Sequence, residues 1–263
     1  DALIIRSGTK VTKKHINKMP NLKIIGRAGV GVDNIDIEAA TNNGIVVVNA
    51  PDGNTISTAE HTFAMMISLL RKIPQANHSM KEGRWDRKAF QGKELYGKTL
   101  GIVGFGRIGT ELARRAKAFH MDVLAYDPYL TKDRAEKNRV KSVSFETLIE
   151  QSDIISIHTP LTKETKGLLN KETIARTKKG VYLINCARGG IIDETALEEA
   201  IKEKHVAGAA IDVFEEEPAI DHPLTKLPEV ITTPHIAAST TEAQKNVAEQ
   251  VAVEVMEYLE GKP

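Results

Sequence analysis

The sequence predicts an α/β protein built on a doubly wound parallel sheet, joined to a second, smaller α/β part. Three observations carry that prediction. Short β-branched apolar runs alternate with helical patterns along nearly the whole chain, and one of these runs leads straight into a G-x-G-x-x-G turn. The length of 263 residues also exceeds that of a usual single domain.

The opening elements are a strand at Ala2–Ile5, a helix over 12–18, a strand over 22–25, a helix over 36–42 and a strand over 45–48. Parallel strands need crossovers that lie on the sheet faces, so this alternation implies a small parallel sheet. The chain starts on an apolar strand without a methionine and is expected to be a piece of something longer. After a polar turn at 49–54, Ser57 and Glu60 have the S-x-x-E spacing of a helix capping box. The helix that follows carries Phe63, Met65, Met66, Ile67, Leu69 and Leu70. That is too much apolar surface for one buried stripe, so it is expected to pack on two sides, in a domain joint or a subunit interface.

Residues 99–103 read as a buried strand running into Gly104, Gly106 and Gly109, with a helix opening at Ile108 and a second strand over 123–126 that ends in Asp127. In that order the parts make a Rossmann-type βαβ unit. Gly104 permits the tight turn, Gly106 lets the backbone approach a pyrophosphate, and Gly109 lets helix and strand pack closely. The free N–H groups and positive dipole end of the helix favour the phosphates. Asp127 sits at about the 20-residue spacing where a carboxylate accepts the adenosine ribose hydroxyls and repels a 2′-phosphate, so NAD is expected rather than NADP. The stretch 92–99 also matches the phosphate-loop pattern G-x-x-x-x-G-K-[ST]. A working phosphate loop follows a strand and opens a helix, whereas this one follows polar residues and runs into a strand.

The alternation continues with a helix over 145–150, strand 154–158, helix 171–177, strand 181–185, helix 194–204, strands 209–213 and 230–233, and a final helix over 240–259. Open α/β sheets bind ligands beyond the carboxyl ends of their strands. Three such ends carry reactive side chains: Arg188 after one strand, Glu215, Glu216 and Glu217 after another, and His235 after a third. Composition alone does not choose among the three glutamates. Six of the seven other histidines, His61, His78, His120, His158, His205 and His222, read as structural or solvent-facing.

A formal net charge of +1 gives no field for nucleic acid or an anionic membrane, and the basic stretches are broken by acids. No apolar run is long enough to span a bilayer, and no signal-peptide pattern is present. The one cysteine, Cys186, allows no internal disulfide and suits a reducing compartment, so a cytoplasmic protein is expected.

Six stretches together resemble the D-isomer-specific 2-hydroxyacid dehydrogenases: GRAGVGVDNID at 26–36, GNTISTAEH at 53–61, GKTLGIVGFGRIG at 97–109, NCARGGIIDE at 185–194, AAIDVFEEEP at 209–218 and TPHIAAST at 233–240. Within that family they are most similar to the branch that oxidises 3-phospho-D-glycerate to 3-phosphohydroxypyruvate, at the start of serine synthesis. The resemblance implies a flavodoxin-like substrate domain, discontinuous in sequence over 1–50 and 238–263, around an NAD domain over 51–237. The site would lie in the cleft between them. It also implies that the opening strand-helix unit of the substrate domain and any carboxy-terminal regulatory domain are missing from this stretch.

By the same resemblance His235 is the acid–base group, an imidazole having its ordinary pKa near 6.5. Glu217, chosen by the Glu-Pro step of the family motif, orients the ring and raises its pKa, and Arg188 holds the substrate carboxylate and polarises the 2-oxo group. No metal is required. For NAD the resemblance adds Val30, Arg107, Ile108, Thr159, Cys186, Asp212 at the carboxamide end of the nicotinamide, and the run His235, Ile236, Ala237, Ala238. For the substrate it adds Arg6, Arg27, Gly29, Asn54 and Arg87, with a structural salt bridge as the alternative for each arginine and Arg87 the weakest of them. A homodimer or higher homo-oligomer is implied. The alternatives are a hydroxypyruvate or glyoxylate reductase, and a NAD-sensing corepressor-like protein with little turnover.

Overall fold

The computed structural model describes residues 1–262, so Pro263, the last position of the expected smaller domain, lies outside the described residues. The chain divides into two compact units, Asp1–Ser57 with Ala238–Pro263, and Thr58–Ala237. The first boundary falls inside a helix, Thr55–Arg71.

In the smaller unit β1 (Ala2–Ile5), β2 (Ile24–Arg27) and β3 (Val46–Asn49) form a parallel sheet in the order β1-β2-β3. The helices α1 (Lys13–Ile16), α2 (Ile37–Asn42) and the long α10 (Thr241–Leu259) supply its cover. Alternate residues of β2 enter opposite cores, which is the period of a strand buried on both faces. Ile25 packs with Ile16, Ala39 and Ala40. Ile24 packs with Val247, Val251 and Val255 of α10. A Cβ on Gly26 would come within 2.5 Å of Val251 Cγ1, so the next β2 position on the α10 face has to be glycine for the helix to sit this close. Side-chain caps start two of the helices: Asp36 accepts the Ala39 N–H at 2.9 Å and Thr240 the Ala243 N–H at 3.1 Å.

The larger unit is built on seven parallel strands in the order β10-β9-β8-β7-β4-β5-β6. They are β4 (Thr99–Val103), β5 (Asp122–Tyr126), β6 (Lys141–Ser142), β7 (Ile154–Ile157), β8 (Val181–Asn185), β9 (Val206–Ile211) and β10 (Val230–Thr232). The helices α3 (Thr55–Arg71), α5 (Arg107–Ala118), α7 (Phe145–Gln151), α8 (Lys171–Ala175) and α9 (Glu194–Lys202) complete the doubly wound pattern. Strand order reverses between β4 and β7, the switch point at which such sheets hold ligands. Phe63, Met65, Met66, Leu69 and Leu70 of α3 join Leu100, Ile102 and Leu112 in one core.

Several sequence expectations are corrected. The capping box at Ser57 and Glu60 does not form: α3 starts two residues earlier, the Ser57 hydroxyl meets the Thr240 hydroxyl at 2.7 Å, and Glu60 reaches Arg115 at 3.1 Å. The second strand starts at Ile24 rather than 22, because the Leu22 N–H is taken by Met19 O in a turn at 3.0 Å. Strand β9 runs from 206, where Val206 pairs with Val181, and ends before Asp212. Four of the described elements were absent from the sequence reading: α4 (Ile73–Lys81), α6 (Lys132–Lys137), β6 and a 3-10 turn at Pro223–Lys226. Among the residues of α4 only Ser79 is buried, and of α6 only Ala135, so neither leaves an apolar stripe to detect. The stretch 92–99 is a turn ending in β4 and not a phosphate loop.

His158, at the end of β7, contributes an acid-sensitive element. Burial pushes its pKa down to about 4, and its Nε2 meets Ser156 Oγ at 2.8 Å. The folded state therefore holds the ring neutral while the unfolded chain takes up a proton below the ordinary 6.5. Stability from this residue is complete above about pH 7 and is lost as pH falls from 6.5 towards 4. Between pH 7 and 5 the loss is at most about 2 kcal/mol, an upper bound because the residue keeps some accessible surface. Urea unfolding at the two pH values checks this: His158→Gln should show a shallower drop, and equal drops in both proteins would rule it out.

Candidate active site

Strands β8, β9 and β10 are neighbours and parallel, so their carboxyl ends lie on one edge of the sheet, about 4.8 Å apart per strand. Arg188, Glu217 and His235 follow these three ends in turn. After β8, buried Asn185 closes the Arg188 turn by donating to Arg188 O at 2.8 Å and accepting the Ala187 N–H at 3.0 Å. A Cβ on Gly189 would stand 2.0 Å from the Phe214 carbonyl, so glycine is required where the turns after β8 and β9 touch. The Arg188 guanidinium donates from Nη1 to Ala187 O at 2.7 Å.

Of the three glutamates it is Glu217 that reaches His235, with Oε2 2.8 Å from Nδ1, while its Oε1 accepts the Phe214 N–H at 3.1 Å. Glu215 pairs instead with Lys166 at 3.2 Å. A carboxylate can only accept from the ring, so Nδ1 carries the proton and Nε2 is left for a ligand. A cavity of about 470 Å³ borders the pair, lined by Pro218, Ile220, Thr233 and Pro234 among others.

His235 has φ +53, a left-handed conformation that a non-glycine residue holds only when its surroundings impose it. Asp212 imposes it. Its main-chain oxygen accepts the His235 N–H at 2.8 Å, and its carboxylate accepts the Ile236 and Ala237 N–H groups at 2.9 Å each. The side chain is fully buried. Burial alone would raise its pKa, but hydrogen bonds from His61, Thr233 and the two backbone N–H groups outweigh that and hold it below the usual carboxylate value. Sequence reasoning set His61 aside. Its Nε2 lies 3.2 Å from Thr233 Oγ1 and 3.4 Å from Asp212 Oδ1, and its place at the end of the GNTISTAEH stretch was the one available signal.

At the switch point Gly104 has φ +93, and a Cβ there would lie 2.7 Å from the His158 carbonyl carbon. Gly109 packs so close to the Gly104 carbonyl oxygen that a Cβ would stand 2.4 Å away. Gly106, by contrast, faces open space, with nothing within 4 Å of a Cβ, and the first turn of α5 at Arg107 and Ile108 has no side-chain cap. Asp127 is held in place by the Phe105 and Tyr129 N–H groups, each at 2.8 Å. Beyond β7 the buried Thr159 Oγ1 has no hydrogen-bond partner among the described residues. An uncapped helix start, an open glycine and an unsatisfied hydroxyl fit a dinucleotide pyrophosphate. Cys186 is buried and its thiol is pushed up to about 12, by burial first and then by the Asp212 charge, which makes it a packing residue rather than a nucleophile.

The remaining candidates belong mostly to the smaller unit. Arg6 follows β1 and hydrogen-bonds Gln244 of α10. Arg27 ends β2, donates to Ala28 O at 3.1 Å, and lies against Gly29, whose φ is +149. The Val30 carbonyl accepts from Asn49, and the Ala238 carbonyl from Gln244 at 3.3 Å. Asn54 Oδ1 is buried without a hydrogen-bond partner among the described residues. Arg87 is in the larger unit, in an exposed segment with Trp85 and Lys88. Among the described residues no helix is long and apolar enough to cross a membrane.

Residues 63–237 match the family model described as D-isomer specific 2-hydroxyacid dehydrogenase, NAD binding domain. The D-3-phosphoglycerate dehydrogenase of Bacillus subtilis (strain 168) is 66% identical over 263 residues, 100% of this chain and 50% of that protein. The protein of the same name from Archaeoglobus fulgidus is 58% identical, again over 100% of this chain and 50% of its own length. The chain thus spans about half the length of the curated relatives it matches. Among solved structures, the NAD-dependent formate dehydrogenase of Staphylococcus aureus in complex with NAD superposes with a TM-score of 0.91 at 38% identity, covering 100% of this chain and 80% of that one.

Proposed function

Since this chain belongs to the D-isomer-specific 2-hydroxyacid dehydrogenase family and carries its NAD-binding domain, we propose that it oxidises 3-phospho-D-glycerate to 3-phosphohydroxypyruvate with NAD, the first reaction of serine synthesis. The observation that carries the chemistry is the His235–Glu217 pair at 2.8 Å, on the same sheet edge as the Arg188 turn. The phosphorylated substrate is supported by the names of the relatives at 66% and 58% identity.

NAD, when bound, supplies the acceptor for the hydride that leaves C2. His235 Nε2 takes the proton of the substrate hydroxyl, and Glu217 stabilises the imidazolium that forms and keeps the ring in its tautomer. Arg188 pairs its planar fork with the substrate carboxylate and draws electron density from the C2 oxygen. In reduction His235 returns the proton to that oxygen. Gly104, Gly106, Arg107, Ile108, Gly109 and Thr159 would hold the pyrophosphate side, Asp127 the adenosine ribose, and Val30, Cys186, Asp212 and the run His235 to Ala238 the nicotinamide side. Arg6, Arg27, Gly29, Asn54 and Arg87 are proposed for the substrate. Asn54 is supported by its unsatisfied Oδ1. A homodimer and a cytoplasmic setting belong to the same proposal, supported by the exposed Trp85 and Tyr96 and by a single, buried cysteine.

The test is NADH oxidation with 3-phosphohydroxypyruvate beside hydroxypyruvate, glyoxylate and 2-oxoglutarate. The expected result is a preference for the phosphorylated substrate. Equal or better rates on another 2-oxo acid would overturn the substrate, and silence on all four would overturn the enzymatic reading.

A further inference from the structure

We propose that His61 is a positioning residue for the His235 turn, acting through Asp212 and Thr233; the catalytic part of this rests on the reading of His235 as the acid–base group. Thr233 has a single hydroxyl proton, and it points to Asp212 Oδ1. Towards His61 the same oxygen is therefore an acceptor, and His61 Nε2 must be the donor at 3.2 Å. That N–H also faces Asp212 Oδ1 at 3.4 Å, so one imidazole proton straddles two oxygens.

The carboxylate so held is the one that organises the turn. The Asp212 side chain is wholly enclosed, so it has no exposed surface of its own at which solvent takes the place of a lost donor. Its Oδ1 receives Ile236 N–H and its Oδ2 receives Ala237 N–H, and these bonds fix the left-handed backbone at His235. His61 projects from α3, between residues Ala59, Thr62, Phe63 and Met65 that are themselves buried, so its ring is anchored on a rigid element. Without the His61 donor, the Asp212 carboxylate and Thr233 hydroxyl are free to rotate together. The two backbone N–H groups then lose a fixed acceptor, and the His235 ring loses its fixed approach. His61 touches neither the His235 ring nor Glu217 in any hydrogen bond described above, which separates its role from that of the catalytic pair.

The test compares H61L, which removes the donor, with H61Q, whose amide Nε2 reaches the same oxygens. Two quantities are read: hydrogen exchange at the Ile236 and Ala237 amides, which needs no turnover, and kcat against KM in NADH oxidation. Exchange at both amides should quicken by about ten-fold in H61L, with kcat down about ten-fold and KM for the 2-oxo acid changed less than about three-fold. H61Q should recover most of both. T233V removes the other half of the bridge, so H61L with T233V should lose little beyond either alone. Wild-type exchange and kcat in H61L, impairment of H61Q equal to that of H61L, or full additivity with T233V would each overturn the proposal. Faster amide exchange in H61L in a chain that shows no turnover even unmutated would uphold the positioning role and remove the catalytic reading of His235 instead.

Discussion

Replacing His235 by alanine is expected to lower kcat by about a thousand-fold, the scale of a lost general acid–base group. Nothing else described at the strand ends can take its place. Glu217 is 2.8 Å from the imidazole and stands behind it, and Arg188 cannot give up a proton at any working pH. The substituted residue holds φ +53, and the bonds that impose this are donated by backbone N–H groups to Asp212 oxygens, which alanine leaves in place. The turn should therefore survive and NAD affinity should stay within about three-fold of the unmutated chain, so the loss falls on kcat. Stopped-flow hydride transfer beside a fluorescence titration with NADH separates the two. A variant that keeps more than about a fifth of the original kcat would exclude His235 as the acid–base group.

The second large effect is expected at Gly106. The Cβ of an aspartate there has no protein atom within 4 Å, so the fold should tolerate the branch point. What it meets instead is the space in front of the uncapped start of α5, where a diphosphate would take the free N–H groups. A second negative charge in that space, with the bulk to hold a diphosphate off, should weaken NAD binding by about a hundred-fold or more, near 2.7 kcal/mol. The thermal midpoint without NAD should move by no more than about 2 °C. Calorimetric titration with NAD gives the first quantity and a thermal melt the second. Retained affinity would place the pyrophosphate elsewhere, whereas a collapse of the melt would mean that the position serves packing. Gly104 provides the contrast: its φ of +93 and the His158 carbonyl 2.7 Å from a Cβ make any substitution there a folding defect first.

These two residues also mark the limits of sequence reading. Gly106 was legible because the strand, the three glycines, the helix and the terminal Asp127 follow one another within a single βαβ unit, where spacing along the chain is close to spacing in space. The doubly wound class was legible for the same reason, since every crossover of the larger sheet but the one from β6 to β7 joins neighbouring strands. His61 was not legible. It lies far from Asp212 and Thr233 in the chain, and only the packing of α3 beneath the ends of β9 and β10 brings its Nε2 within 3.4 Å of both. The Ser57 and Glu60 capping box failed on similar grounds, because a tertiary partner claimed each side chain: Thr240 took one and Arg115 the other.

The periodicity and motif spacing of the amino acids by themselves determined the α/β class, the parallel sheets and the cofactor loop, since each of these depends on residues a few positions apart, while the family resemblance supplied the catalytic candidates. What holds the left-handed turn at His235 and which histidine braces the buried Asp212 were decided only by tertiary structure, which also sets Glu217 2.8 Å from the His235 ring. Those relations join strand ends and a helix distant in sequence, and a hydrogen bond is set by separations of a few ångströms that no sequence interval encodes.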